Sequence, residues 1–278
     1  MSYNSPIFAK NMDMMSELRE RAIDIVRQAG VLMSQSHFDV FEKEGCVNIV
    51  TSSDVTVQHF LCTELSALLP GCGFICEEED LFDDSSDEIW IIDPIDGTAN
   101  YARGIDHCAI SLALRQAGET VLGIVYSPAR DELYIAERGK GAWLNGHPIH
   151  VSARPFEDGI LCAALSLYRK EYADACSAVI MDAYHSCNDV RRFGSAAIEL
   201  CFLATGRCEL FFEMRLQPWD YAAAALVLRE AGGFVSTLDG MVEHYDAPDM
   251  IVAANSASSH ARLLAIVRQH IPAIPYRD

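Results

Sequence analysis

Trp90-Ile91-Ile92-Asp93-Pro94-Ile95-Asp96-Gly97-Thr98-Ala99-Asn100-Tyr101 decides how the rest of the chain is read. Its first half is apolar and β-branched, the pattern of a strand buried on both faces. Its second half carries two carboxylates three residues apart, then a glycine and a hydroxyl. A buried strand that ends in acids and turns at Gly97 delivers polar groups to a sheet edge, where α/β proteins place ligands. Pro94 stiffens the link between Asp93 and Asp96, which stand close enough in sequence to serve neighbouring hard cations. If a helix begins after Gly97, the first amides there face an anion.

Working outward, Gly73 to Cys76 reads as a short strand running straight into Glu77, a second strand end that presents a carboxylate. From Glu77 to Glu88 the chain holds eight acids in twelve residues, which repel one another and predict an exposed loop. Asp83, Asp84, Asp87 and Glu88 belong to that solvated face. Residues 12–35 predict a helix with Met14, Leu18, Ala22, Ile25, Ala29 and Leu32 on its apolar stripe. Lys43 lies in a polar stretch, and Ser53 or Asp54 caps a helix that runs to about Leu69, where Pro70-Gly71 stops it. Beyond the central stretch, Cys108 to Leu114, Val121 to Tyr126 and Glu132 to Ala136 predict antiparallel strands, with Asn145-Gly146 as a hairpin turn. The polar segment Ser152 to Asp158 places a boundary between an N-terminal α+β part, residues 1–154, and a C-terminal α/β part, residues 155–278.

In the second part, Gly159 to Ser166 predicts a strand, Tyr168 to Ala183 and Gly194 to Gly206 helices, and Cys208 to Phe212 a strand ending at Glu213. Asp220 stands at or just inside the N-terminus of a helix over Tyr221 to Ala231. There it is either an ordinary cap or a third, distant carboxylate for the central loop. A strand over Ile251 to Ala254 and a helix over Ser256 to Gln269 close the chain.

Composition narrows the chemistry. Half of the 278 residues are apolar, enough for a substantial core, and the formal charge is -19. That charge, with no basic stripe, argues against a nucleic-acid or anionic-membrane surface, while an anionic small substrate remains compatible if cations neutralise the site. No run reaches membrane-spanning length and no leader pattern opens the chain, so the expected location is cytoplasmic. The ten cysteines are scattered singly and read as free thiols. Glu77, Asp93, Asp96, Thr98 and Asp220 form an oxygen-only set beside element ends, which suits magnesium, with manganese as a substitute, rather than zinc. Neither a P-loop nor a kinase motif set occurs.

Glu77-Glu78, the run Asp93 to Tyr101, Trp219-Asp220 with Ala223, and Glu230-Ala231-Gly232-Gly233 resemble the signatures of the inositol monophosphatase family, in the family's order. Lys43 before Val50 to Asp54 and the run Arg192 to Ala197 match too, so the likeness spans roughly Met14 to His270. It is nearest to the bacterial inositol-1-monophosphatases. The resemblance implies a layered αβαβα sugar-phosphatase fold, an α/β class (α+β in some schemes) with mixed and antiparallel sheets. It implies hydrolysis of a small polyol phosphate, inositol 1-phosphate, by in-line attack of an activated water without a phosphoenzyme. The same chemistry on histidinol phosphate, fructose 1,6-bisphosphate, 3′-phosphoadenosine compounds or NADP is the alternative, and a regulatory protein that merely keeps the fold is another. Two or three magnesium ions are implied: the first on Glu77, Asp93 and the Ile95 carbonyl, the second on Asp93, Asp96 and Asp220, and a third, weaker one at Glu77. Glu77 and Thr98, with Asp54 behind Thr98 and Lys43 near the metal waters, would serve the attacking water. The amides of Gly97 and Thr98 would take the phosphate, and Asp96, Gly194, Ser195, Ala196 and Glu213 the alcohol. Lithium sensitivity and a homodimer follow by the same resemblance. Cys76 stands where glycine is frequent, Ala99 where threonine is frequent, and Arg103 where many members carry histidine, at the edge of the substrate pocket.

Overall fold

The structure, a computed structural model, describes residues 6–35, 40–44, 48–78, 82–83, 85–165, 169–240, 247–271 and 273, without the side chains of 6–13, 40–44, 48–51 and 82. Helix α1 (Pro6–Gln35) is followed by the hairpin β1 (Val40–Glu44) and β2 (Asn48–Thr51), and then by α2 (Ser52–Leu68). Next come β3 (Gly73–Cys76), β4 (Phe82–Asp83), β5 (Glu88–Asp96) and the single turn α3 (Thr98–Tyr101). Strands β6 (Ala109–Gln116), β7 (Glu119–Ser127), β8 (Glu132–Glu137), β9 (Gly141–Leu144) and β10 (His147–Pro148) complete an eight-stranded sheet. Its order is β10-β9-β8-β7-β6-β5-β3-β4, antiparallel except between β3 and β5.

The remaining chain runs β11 (Ile160–Ala163), α4 (Ala173–Tyr184), β12 (Asp189–Arg191), α5 (Ala196–Ala204), β13 (Leu210–Leu216), α6 (Pro218–Glu230), β14 (Phe234–Ser236), β15 (Asp249–Ala254) and α7 (Ala257–His270). Here five strands order as β12-β11-β13-β15-β14, parallel on the β11 side and antiparallel around β15. The expected boundary at 154/155 falls between the last strand of one sheet and the first of the other.

Side-chain alternation sorts these elements into layers. On β5, Trp90 and Ile92 face α1 and α2, packing with Ala22, Val26, Ala29, Leu61 and Leu65. Ile89 and Ile91 face the opposite way, into the core built by α5 and α6. That core also receives Phe211, Ile251 and Ala253 of the second sheet, so α5 and α6 are sandwiched between two sheets. On β13, Leu210, Phe212 and Met214 point outward to α4 and α7, meeting Cys176, Val179, Leu263 and Val267. The result is five layers, α, β, α, β, α, with mixed sheets.

A sandwiched helix must carry small or apolar residues all round. In α6 the run Ala222 to Ala225 is buried and sits close enough to β7 that a Cβ at Gly123 would lie 2.5 Å from the Ala223 carbonyl. Only glycine permits that approach, and it fixes the height of α6, and with it Asp220, above the sheet. Ser111 Oγ holds the same helix end through a 3.0 Å bond to the Trp219 carbonyl. The helix stripe expected over 12–35 packs from Leu18 to Met33, whereas Met14 is 60% exposed. All nine described cysteines are free, Cys62 and Cys76 having their sulfurs 3.8 Å apart. No described helix is long and apolar enough to cross a membrane.

Candidate active site

The end of β5 carries the centre. Asp93 faces inward where the β5–β6 ladder slips register between Asp93 and Asp96, so both acids leave the sheet on one side. The Asp93 carboxylate accepts the Ile95 N–H at 2.9 Å, which closes the turn at Pro94. Gly97 then adopts φ 88°, and a Cβ there would meet the His107 carbonyl at 2.8 Å and that of Gly194 at 3.1 Å. Glycine at 97 is therefore required twice, by its dihedral and by its neighbours. Thr98 starts α3, and its hydroxyl lies 3.2 Å from the Asp54 carboxylate and 3.1 Å from the Ile95 carbonyl. Asp54 is buried in the first turn of α2, as the expected arrangement behind Thr98 requires.

Asp220 arrives from 124 residues further on (Asp96 to Asp220) at the third position of α6. One of its oxygens accepts the Gln217 N–H at 2.7 Å, so it is a helix cap. It is also a member of the cluster: carboxylate oxygens of Asp93, Asp96 and Asp220 lie within 4.8 Å of one another. The two readings offered for this residue hold together.

Three carboxylates at that spacing, Asp93 and Asp96 buried and Asp220 partly so, repel. Burial, then the charges of Glu77, Asp96 and Asp220, hold Asp93 well above the usual carboxylate range. Burial, then Asp96 and Glu77, does the same to Asp220. Burial pushes Asp96 up to about 6, against hydrogen bonds from Ser195 Oγ (2.5 Å) and the Ala197 N–H (2.8 Å). An all-oxygen set whose members raise one another is the environment a hard divalent cation relieves, and magnesium fits it. Glu77 stands outside the three-acid cluster but lines the same cleft and touches Asp93. It is positioned by its N–H, 3.2 Å from the Ile92 carbonyl, and by the neighbouring Glu78 backbone, clasped in both directions by buried Gln58.

The cleft runs from these acids past Gly97, Thr98, Gly194 and Ala196 to a far end formed by Glu199, Glu213, Arg169, Arg192 and Arg215. Ser195 sits behind its neighbours, buried, with its hydroxyl on Asp96 while it also caps α5. Burial pushes Glu213 up to about 8 and Glu199 up to about 7. The Lys43 side chain and Asp84 lie outside the described residues. Arg103 is exposed and folds back on the Ala99 carbonyl at 2.9 Å, away from the cleft lining.

Three contributors escaped the reading of the sequence. Asn100 donates to the carbonyls of His107 (2.8 Å) and Phe193 (2.6 Å), tying the central loop to the turn before α5. Glu199 accepts the N–H groups of Phe193 (2.7 Å) and Gly194 (2.8 Å) and so shapes that same turn from below. Arg215 comes into the cleft because β13 does not end at Glu213 but continues to Leu216. The alternation of buried Met214 and Leu216 was the available signal.

With this geometry in hand, likeness to known proteins becomes specific. The sequence profile of the inositol monophosphatase family matches residues 14–272. The Nus factor SuhB of Escherichia coli K12 is 36% identical over 240 residues, covering 84% of this chain and 90% of that protein. An inositol-1-monophosphatase of Mesorhizobium japonicum is 36% identical over 225 residues, covering 80% and 84%. Among solved structures, the extragenic suppressor protein suhB of Bartonella henselae superposes with a TM-score of 0.83 at 32% identity, covering 92% of this chain and all of that one. Sequence and fold agree over nearly the whole length, and the acidic triad is intact: the chain belongs to the inositol monophosphatase family, as a magnesium-dependent phosphatase of small phosphate esters.

Proposed function

We propose that the protein hydrolyses inositol 1-phosphate and related polyol monophosphates to the free alcohol and inorganic phosphate. The observation that supports this is one cleft lined by Glu77, Asp93, Asp96 and Asp220 together with Gly97, Thr98, Gly194, Ala196 and Glu213. Glu77, Asp93 and the Ile95 carbonyl would hold a first magnesium, and Asp93, Asp96 and Asp220 a second, with Glu77 at the edge of a third, weaker position. Bound magnesium supplies Lewis acidity toward the phosphoryl oxygens and a more acidic water.

The chain's own groups then do the rest. Thr98 Oγ1, set between the Asp54 carboxylate and the Ile95 carbonyl, orients the attacking water, and Glu77 takes up its proton. The Gly97 and Thr98 amides, left over by the first helical turn, receive the phosphate. Lys43 stays assigned to the neighbourhood of the metal waters. Asp96, Gly194, Ser195 and Ala196 border the leaving alcohol, with Ser195 acting through the Asp96 carboxylate it bonds, and Glu213 meets the ring hydroxyls.

The decisive experiment combines chelation with a thermal-shift series. Metal-free protein should not release phosphate from inositol 1-phosphate, and magnesium should restore release and raise the Tm in proportion to the logarithm of its concentration above Kd. Full activity after metal removal, verified by elemental analysis, refutes the assignment.

A further inference from the structure

Every residue of α5 is buried between the two sheets, and one of them is an acid. A carboxyl placed among apolar neighbours costs free energy unless its oxygens are used. Glu199 is 2% exposed, and its Oε1 accepts two backbone N–H groups, from Phe193 at 2.7 Å and Gly194 at 2.8 Å. Its own N–H donates to the Ser195 carbonyl at 3.0 Å. In a capping box the third helical residue reaches back to the N–H of the cap itself. Glu199 is the fourth, and it reaches past the cap, Ser195, to the two residues before it.

The turn so held is gripped from other directions too. Asn100 donates to the Phe193 carbonyl at 2.6 Å. The Phe193 ring stacks on His107 with centroids 5.0 Å apart and meets Phe202 edge-on at 5.4 Å. The Gly194 carbonyl and Ser195 Cβ pack against Gly97, 3.1 and 3.3 Å from where a Cβ on it would stand. What the turn delivers is Ser195, whose hydroxyl donates to Asp96 Oδ2 at 2.5 Å, beside the Ala197 N–H at 2.8 Å. Two donors on one oxygen fix the rotation of a carboxylate that belongs to the three-acid cluster. The path from Glu199 therefore runs through the Phe193 and Gly194 amides to Ser195 Oγ, and from there to Asp96.

We infer that Glu199 is a positioning residue for the metal centre: by holding the Phe193–Gly194 turn it sets Ser195 against Asp96 and thereby raises the affinity for magnesium. This rests on the magnesium-dependent phosphatase reading and deepens it. A single oxygen does the holding, because Glu199 Oε2 has no hydrogen-bond partner among the described residues. Glutamine can therefore take over the role with its amide oxygen. Aspartate, one methylene shorter, withdraws the oxygen from both N–H groups.

The test measures the magnesium concentration for half-maximal hydrolysis of inositol 1-phosphate and, separately, the rise in Tm that magnesium gives. Glu199→Ala should raise the magnesium requirement about tenfold and move the Tm response to correspondingly higher concentrations. Its KM at saturating magnesium should stay within about threefold. Glu199→Gln should remain within about threefold of the wild type in every quantity. Val179→Ala, in the separate core that α4 forms with the second sheet, should lower Tm and leave the magnesium requirement unchanged. Ser195→Ala should raise the requirement as well, and adding Glu199→Ala to it should change little further, since both act on one carboxylate. The proposal is overturned by an unchanged requirement in Glu199→Ala, by an equal rise in Glu199→Gln or Val179→Ala, or by effects that multiply in the double variant. If Glu199→Ala does not fold, Glu199→Asp decides: a several-fold higher requirement supports the role, and a wild-type value refutes it. If the wild type hydrolyses no ester but still gains Tm with magnesium, the phosphatase reading alone fails, and the Tm response ranks the same variants. If magnesium gives no rise in Tm either, both fall.

Discussion

The two ends of the cleft solve the problem of buried charge in opposite ways. At the near end, Asp93, Asp96 and Asp220 crowd within 4.8 Å and raise one another. At the far end, Glu199 and Glu213 share the cleft lining with Arg192 and Arg215. A cluster of one sign requires a cation from outside, so the near end depends on what is bound there. The far end sets acids that burial holds above the usual carboxylate range beside guanidinium groups, and what it adds is directional hydrogen bonding. On the function proposed above, reactivity belongs to one end and selection to the other, although both are built from the same few residue types.

The largest effect expected from this contrast lies at Asp93. Asp93→Asn removes the charge shared by both proposed ions and should lower kcat by at least about a hundredfold. Folding should not suffer, because one of three crowded carboxylates is gone. The metal-free variant should therefore melt at or above the wild-type temperature while losing the rise in Tm that magnesium gives the wild type. Asp87→Asn, in the exposed acidic stretch, should change neither quantity. Equal responses of the two variants would erase the distinction between functional and solvated acids.

The pH dependence of stability provides the next, smaller test, this time at the far end. Burial raises Glu199 from 4.5 in the unfolded chain to about 7. The folded protein therefore holds a proton that the unfolded chain has released. For a raised carboxyl, stability is highest below the unfolded value and declines as pH climbs from about 4.5 to about 7. At ~1.4 kcal/mol per pKa unit, the loss carried by this one buried group is at most about 3.5 kcal/mol. Glu199→Gln keeps an amide oxygen for the Phe193 and Gly194 N–H groups but cannot titrate. Denaturant melts of metal-free protein across that window should show a shallower decline in the variant. Parallel curves would mean that Glu199 is not held protonated.

The contrast also explains what the sequence disclosed and what it withheld. The near end was legible because its determinants are local: a continuously apolar strand, a proline, a glycine and acids at the turn. Asp220 was legible as a helix start, though only the fold brings it to Asp93. The far end was harder. Glu199 looks like a lone acid on a solvated helix face, but α5 has no such face, because all nine of its residues are buried between the sheets. Flanking Ile198, Leu200 and Cys201 were the clue. Arg215 lies beyond the strand end that the apolar run Cys208 to Phe212 marks at Glu213, whereas β13 continues to Leu216. The strands β12 and β14 span only three residues each, too short for any period to show. Met14 fits the α1 stripe by spacing alone, and spacing does not say where the packing begins.

The smallest effect, and the one that most sharpens the comparison, concerns Glu213. A carboxylate accepting two ring hydroxyls would give charge-assisted bonds, and its replacement by glutamine would be costly. Burial, however, pushes Glu213 up to about 8, with Arg192 opposing the rise. At neutral pH the group is therefore largely protonated in the free enzyme, and there glutamine is a close mimic. Glu213→Gln should then lower kcat/KM for inositol 1-phosphate only a few-fold at pH 7, the scale of a neutral hydrogen bond of ~0.5–1.5 kcal/mol. Above pH 8 the wild type ionises and gains strength as an acceptor, while the variant does not. The ratio of wild type to variant should accordingly grow between pH 7 and 9 for inositol 1-phosphate, and stay flat for a small ester without ring hydroxyls. A ratio that is large at pH 7 and independent of pH would show that bound substrate and cations already hold Glu213 ionised. In that case the far end takes its charge state from the near end, and the two halves of the cleft act as one electrostatic unit.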